Sequence, residues 1–239
     1  MTESYPLQIS VPRARLAELL HSQLRHLMLL DEPQEPALLA AHFDAALARL
    51  AYLFGHINNK YYRRDGQVFF NPWHTAQYGI FLYLLAQQIH RAEGAIPLCD
   101  KLYGLNKVIN AVDLFYEVQL PDVFFMDHPV GTVLGRARYG RFFSFSQGST
   151  VGNNRGIFPT IGERVALMSG ASLIGNCHIG NHVVIATGAC VLDQDVPDDS
   201  IVFGRSPNLV IKPIYKNGVS ISPVNFFVAP EAVATAEAA

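Results

Sequence analysis

The chain has 239 residues, 50% of them hydrophobic and 16% charged, with a formal net charge of −2. This is enough apolar material for a core in one or two domains, and a near-neutral balance without a basic run argues against nucleic acid as a partner. The three cysteines, Cys99, Cys177 and Cys190, are odd in number and lack CxxC spacing, which fits a reduced, cytoplasmic setting better than a disulfide framework.

Glu3 and Pro6 fall where a signal peptide would carry a basic start and an apolar block. The apolar run 80–86 is far shorter than the roughly 20 residues that span a bilayer, so a soluble protein without a membrane partner is expected. Four helices are predicted before residue 111. From Pro12, Leu16, Leu19, Leu20, Leu24 and Leu27 form one stripe, which Pro33 and Pro36 break. Leu39, Phe43, Leu47, Leu50 and Phe54 form a second, ending near Gly55. Residues 58–73 show no period and read as a loop. A third helix starts at Thr75 as N-cap and carries Tyr78, Phe81, Leu82, Leu85 and Ile89 until Gly94 and Pro97 end it. The fourth runs from Leu98 through Leu102, Leu105 and Ile109.

Five glycines lie in residues 1–111 and thirteen in 112–239, which marks a change of architecture. Beyond it an apolar residue returns every six positions, at Ile161, Leu167, Leu173, Ile179, Ile185 and Val191, with a small residue four places on at Val165, Ala171, Cys177, Val183 and Ala189. A fixed short period of this kind marks a solenoid. Six residues supply one flat strand and a corner, so three units close a triangular coil of about eighteen. Counted back from Val151 the period reaches Phe145, Tyr139, Val133 and Asp127. From Val151 to Ile161 there are four residues too many, so residues 152–158 should bulge out as a loop. The fold class expected is α+β: a helical domain over 1–111, a solenoid over 112–212 and a tail over 213–239 whose Ala/Glu-rich end, 229–239, has little to bury.

No GxGxxG, Walker loop, HExxH or GxSxG occurs, which leaves dinucleotide, nucleotide-triphosphate, metalloprotease and α/β-hydrolase chemistry without a motif. His21, His26, His42, His56 and His90 stand among polar helical neighbours and read as surface residues. His178 and His182 have the spacing of a metal pair, but they fall on different faces with no carboxylate or cysteine in view, so no metal site is expected. His128 differs. It comes after Asp127, an acid where the period asks for an apolar residue, and it lies fifteen residues after Asp113, so the two can meet on adjacent coils. An aspartate there can hold one imidazole nitrogen while the other faces a substrate proton.

Asp113-Leu114 with Asp127-His128-Pro129-Val130-Gly131 downstream resembles the serine acetyltransferase segment in which VDIHP precedes DHATG. The likeness continues through Ser149-Thr150-Val151-Gly152, Pro159-Thr160-Ile161-Gly162, Gly170-Ala171-Ser172-Leu173-Ile174-Gly175 and Gly204-Arg205-Ser206-Pro207, and upstream at Asn71-Pro72. Resemblance to these hexapeptide-repeat acyltransferases implies that the solenoid is a left-handed parallel β-helix and that chains assemble as homotrimers or dimers of trimers. It also implies that His128 is the general base and Asp113 its orienting acid, with Asp127 near the acceptor. By the same resemblance acetyl-CoA, the co-substrate, runs along Ser169, Gly170, Thr187 and Gly188; its phosphates need cations, and Arg205, Lys212 or Lys216 are expected to supply them. Where the family has an Arg-His pair for the acceptor's carboxylate, this chain has Ile157-Phe158, with Arg155 close by as a replacement cation. The acceptor expected is the hydroxyl of serine or a serine-like molecule. An amino sugar or sugar hydroxyl in surface-polysaccharide synthesis is the alternative, and a non-catalytic scaffold a third.

Overall fold

A computed structural model describes residues 5–217, 219–222 and 224–228; the expectation for 229–239 lies outside the described residues. Four helices come first: α1 (Arg13–Met28), α2 (Gln34–Gly55), α3 (Thr75–Glu93) and α4 (Pro97–Asn110). Their predicted stripes are buried, with Leu16, Leu20 and Leu24 from α1 meeting Leu98, Leu102 and Leu105 from α4, while α2 and α3 supply Phe43, Leu50, Phe54, Phe81 and Leu85. Leu27, expected in the first stripe, is exposed. α1 ends at Met28, ahead of both prolines; Pro33 is the N-cap of α2 and Pro36 sits in its first turn, where a missing N–H costs nothing. For the same reason Pro97 opens α4 rather than merely ending α3. Thr75 is the first helical residue, and the cap position belongs to His74. By length and hydropathy α2 could cross a membrane, so the 80–86 run is not the most bilayer-like stretch; α2 spends its apolar side on the core.

Residues 58–73 are not a plain loop. β1 (Leu7–Ile9), β2 (Arg63–Arg64) and β3 (Gln67–Phe70) form a small sheet in the order β1-β3-β2. Asp65 and Gly66 join β2 to β3 with φ of 50° and 77°, the two left-handed residues of a tight hairpin turn. Asp-Gly is the signal for such a turn, and the apolar stretch Val68, Phe69 and Phe70 behind it is buried.

The rest is a parallel β-solenoid of three faces. Face A stacks Leu114, Leu134, Val151, Leu173 and Val191. Face B stacks Met126, Phe145, Leu167, Ile185 and Val202. Face C stacks Tyr139, Ile161 and Ile179, with Val196 bridged below. All six apolar residues of the unbroken repeat are buried, as are Val165, Ala171, Cys177, Val183 and Ala189 at the corners. Upstream the count is displaced by one. Leu134, not Val133, stacks on Val151, and Met126, not Asp127, stacks on Phe145. The apolar pattern is therefore intact in the first coil, and Asp127 is simply the next residue, turned outward. The extra residues after Val151 form the expected excursion, closed by an Asn154–Ile157 bridge around Arg155 and Gly156.

The last coil ends in a hairpin in which Asn208–Pro213 runs antiparallel to Ser200–Arg205. The chain then climbs back along face B as a strap. Ile214 N–H donates to Asp199, and at the far end Phe227 bridges Ile57 while Val228 N–H donates to the carbonyl of His56. Beneath it the outward side chains of face B, Ser144, Ala166, Val184 and Ile201, are buried together with Ile214. Among the described residues face A has no such cover, and Val133 and Leu192 are exposed on it.

Candidate functional site

His128 lies just past the face B strand Phe124–Asp127, at the corner where the chain turns to face A. Its φ is 48°, and its side chain is 85% exposed. Directly below it, one coil apart, the same corner is turned by Gln147-Gly148, Ser169-Gly170 and Thr187-Gly188. Gly131, Gly148, Gly170 and Gly188 all have φ between 67° and 74° there, a left-handed conformation that a side chain would strain. Gly148 N–H donates to Val130, Gly170 N–H to Gln147 and Gly188 N–H to Ser169, which locks the corners into one straight edge. His128 and the predicted cofactor residues Ser169, Gly170, Thr187 and Gly188 thus share a single edge of the prism. Arg205, exposed, ends the face B strand at the foot of that edge. Lys212 belongs to the terminal hairpin, its Nζ 5.5 Å from the centre of the Phe203 ring, and Lys216 is exposed beyond it.

The bond expected between Asp113 and His128 is not formed. Asp113 Oδ1 accepts from Tyr103 Oη at 2.6 Å, and its Oδ2 meets Lys107 Nζ at 2.6 Å. The last turns of α4 overlie the first face A strand, so a phenol and an ammonium reach the carboxylate first. Partial burial works to raise the Asp113 carboxyl, but the bonds from Lys107 and Tyr103 outweigh it and hold it below the ordinary range. Among the described residues the carboxylate within 4 Å of His128 is Asp127, its Oδ1 3.8 Å from Nε2. Arg155, Ile157 and Phe158 stand at the A-to-C corner, a different edge of the same prism. Arg155 and Ile157 are exposed, and Phe158 leans on Gly135. One chain does not bring them to His128.

Other histidines depart from expectation. His56 is buried, its Nδ1 2.9 Å from the carbonyl of Tyr52. His178 and His182 do have carboxylates, Asp195 and Asp199, each 3.1 Å away on the coil below. Even so, no group of three potential metal ligands occurs among the described residues. Sequence reasoning missed Tyr103 and Lys107, whose roles depend on how α4 docks, and His74 and Tyr62, which pack beside this corner. Clefts of about 1230 Å³, between α2, β1 and the first coil, and about 310 Å³, under the strap, are lined by other residues than His128. A prism edge is convex, so it becomes a cleft only against another surface.

Comparison with known proteins agrees with this fold. The family described as Bacterial transferase hexapeptide (six repeats) matches residues 158–193. The serine acetyltransferase of Synechococcus elongatus is 32% identical over 145 residues, 58% of this chain and 57% of that one. That of Helicobacter pylori is 27% identical over 141 residues, 56% of this chain and 81% of its own. The chain thus spans 57% of the length of the Synechococcus relative. Among solved structures, Brucella abortus serine acetyltransferase matches with a TM-score of 0.58 at 21% identity, covering 75% of this chain and 73% of that one. Entamoeba histolytica serine acetyltransferase 1 in complex with L-cysteine matches at 0.54 and 19%, covering 80% and 75%. At those identities the structures speak for the fold. In sequence and architecture the chain is similar to serine acetyltransferases, and its residues 158–193 carry the hexapeptide repeat of bacterial transferases.

Proposed function

We propose that the protein is an acetyl-CoA-dependent O-acetyltransferase acting on the hydroxyl of serine or a serine-like molecule. The observation that carries this reading is the single edge on which His128 stands above Ser169-Gly170 and Thr187-Gly188, with Arg205 at its foot. An extended pantetheine arm laid along that edge would bring its thioester to His128 and leave its phosphates toward Arg205, and Lys212 or Lys216 could add further charge. His128 takes the proton of the acceptor hydroxyl as the oxygen attacks the thioester carbonyl. The tetrahedral oxyanion then collapses, the C–S bond breaks, and the His128 imidazolium returns the proton to the leaving thiolate. Asp127 faces the acceptor. Asp113, tied to Lys107 and Tyr103, fixes the turn out of α4.

The missing wall of the site comes from a second copy. Face B is covered by the strap, whereas face A and its two edges expose Val130, Val133, Ile157 and Leu192. Three prisms packed through face A and its edges would bury these residues and set the Arg155–Phe158 excursion of one chain against the His128 edge of the next, as a homotrimer. Pairing of trimers through the helical domains would match the resembling family. A monomer in light scattering at micromolar concentration would contradict this assembly.

Two acceptors compete for the resulting pocket. Arg155 could grip an amino-acid carboxylate bidentately, while the half-exposed Ile157 suits a sugar ring. Purified protein, acetyl-CoA and a panel of serine, homoserine and nucleotide-linked amino sugars, monitored by free-thiol release, separates the two. Turnover on serine is expected; turnover on an amino sugar alone would replace the acceptor and keep the His128 chemistry.

A further inference from the structure

With His128 taken as the base, we propose that Tyr62 and His74 are positioning residues of its site, Tyr62 Oη anchoring the Asp127 carboxylate and His74 backing the His128 imidazole once the acceptor is bound. Both come from the segment between α2 and α3, so the helical half takes part in acceptor recognition.

Four buried side-chain polar atoms lack a hydrogen-bond partner among the described residues, and two of them, Tyr62 Oη and His74 Nδ1, are neighbours here. His74 itself lies next to Trp73 and Thr75, at the N-cap of α3. Buried groups left this way destabilise a fold, and where they persist a functional site is the usual reason. Packing fixes where they point. The Tyr62 ring lies 4.6 Å from Phe54, 5.9 Å from His74 and 5.7 Å from Phe125. Phe125 precedes Asp127 by two residues on one strand, and residues two apart share a face, so Tyr62 covers the side from which the Asp127 carboxylate projects. Phe226 of the strap presses on the same Phe125 at 4.9 Å and completes the stack.

The electrostatics agree. Burial, and after it the charge of Asp127, pushes the Tyr62 phenol upward, which keeps it a donor. Burial first, and His128 to a lesser degree, lowers the His74 imidazole, which keeps it neutral. A neutral His74 adds no second cation beside His128 as that ring takes the acceptor's proton.

Tyr62→Phe removes one oxygen and tests the idea directly. The melting temperature should hold or rise, because an unsatisfied hydroxyl is gone. The acceptor kcat/KM should fall about tenfold, the scale of one hydrogen bond, with the KM for acetyl-CoA unchanged. His74→Gln should move the same quantities in the same direction. An active wild type with an equally active Tyr62→Phe would overturn the positioning role and leave the transferase reading intact. A wild type inert on the whole acceptor panel would end the transferase reading instead, and Trp73, the single tryptophan, then decides the rest from its place beside His74. An emission change on adding L-serine that Tyr62→Phe abolishes keeps the positioning role, and no change in the wild type removes it.

Discussion

In the solenoid a side chain's neighbours are its own equivalents one coil away, whereas in the helical half they come from unrelated places in the sequence. Leu167 lies between Phe145 and Ile185, residues at the same position of adjoining coils. Phe81 instead meets Phe43 of α2, Phe70 of β3 and Tyr78 of its own helix. Solenoid stability is therefore close to a sum over neighbouring coils, while the helical half holds or fails as a packed unit. The candidate site draws on both halves, and the difference tells which substitutions should act locally.

The largest effect expected is chemical. His128→Ala should lower acetyl transfer about 10²–10⁴-fold with acetyl-CoA binding retained, measured by thiol release and calorimetry. Near-normal turnover would remove the solenoid edge from catalysis altogether.

Next come the two cores. Phe81→Ala should cost about 3–5 kcal/mol and Leu167→Ala about 2–5 kcal/mol in denaturant unfolding. Their footprints should differ. Hydrogen exchange should quicken across α2, α3 and β3 in the first, but chiefly in the strands of Phe145 and Ile185 in the second. Equal loss of protection over the whole chain in both would break the contrast.

A pair of glycines sharpens it at lower energy. Gly170→Ala places a methyl at φ 69° and should cost about 1–2 kcal/mol. Gly104→Ala lies inside α4, where the new methyl meets only the end of the flexible Met28 side chain at 3.3 Å, and should gain roughly 0.5–1 kcal/mol. Opposite signs in thermal melts are the expected outcome.

The smallest effect is a pH dependence. Because Asp113 titrates below the ordinary aspartate value of about 3.9, the stability it contributes is present above that pH and is lost as pH falls through its folded value. Asp113→Asn should flatten the acid limb of the stability curve there, and should lower turnover less than His128→Ala does. An unchanged acid limb would show that the Lys107 and Tyr103 contacts contribute nothing to folding.

Legibility in the sequence divides along the same line. The six-residue period marks the buried face from Ile161 to Val191 because every coil repeats one geometry. It slips upstream, where the chain runs five residues from Leu134 to Tyr139 and eight from Met126 to Leu134 instead of six, and so turns Asp127 into an apparent break. The helical stripes can be read from spacing, but the sheet over 58–73 cannot, since its strands are short and β1 pairs in parallel with a strand some sixty residues on. His128 stands out because a resemblance and a spacing both point at it. The partners of Asp113 do not, because Tyr103 and Lys107 reach it only through the angle at which α4 meets the first coil.

The antiparallel return of Asn208–Pro213 along Ser200–Arg205 sets a limit on growth. A stack of parallel coils can accept another coil from any chain at an open end, as fibrils do. Here the last rung faces a strand running the wrong way, with Lys212 and Pro213 on its outer side, and the helices occupy the other end. The coils therefore offer no open rung, which leaves the flanks for contacts between prisms and the helices for any contact between trimers. An assembly built on flanks closes after a fixed number of subunits, so the protein's size in solution should be a constant that concentration does not extend.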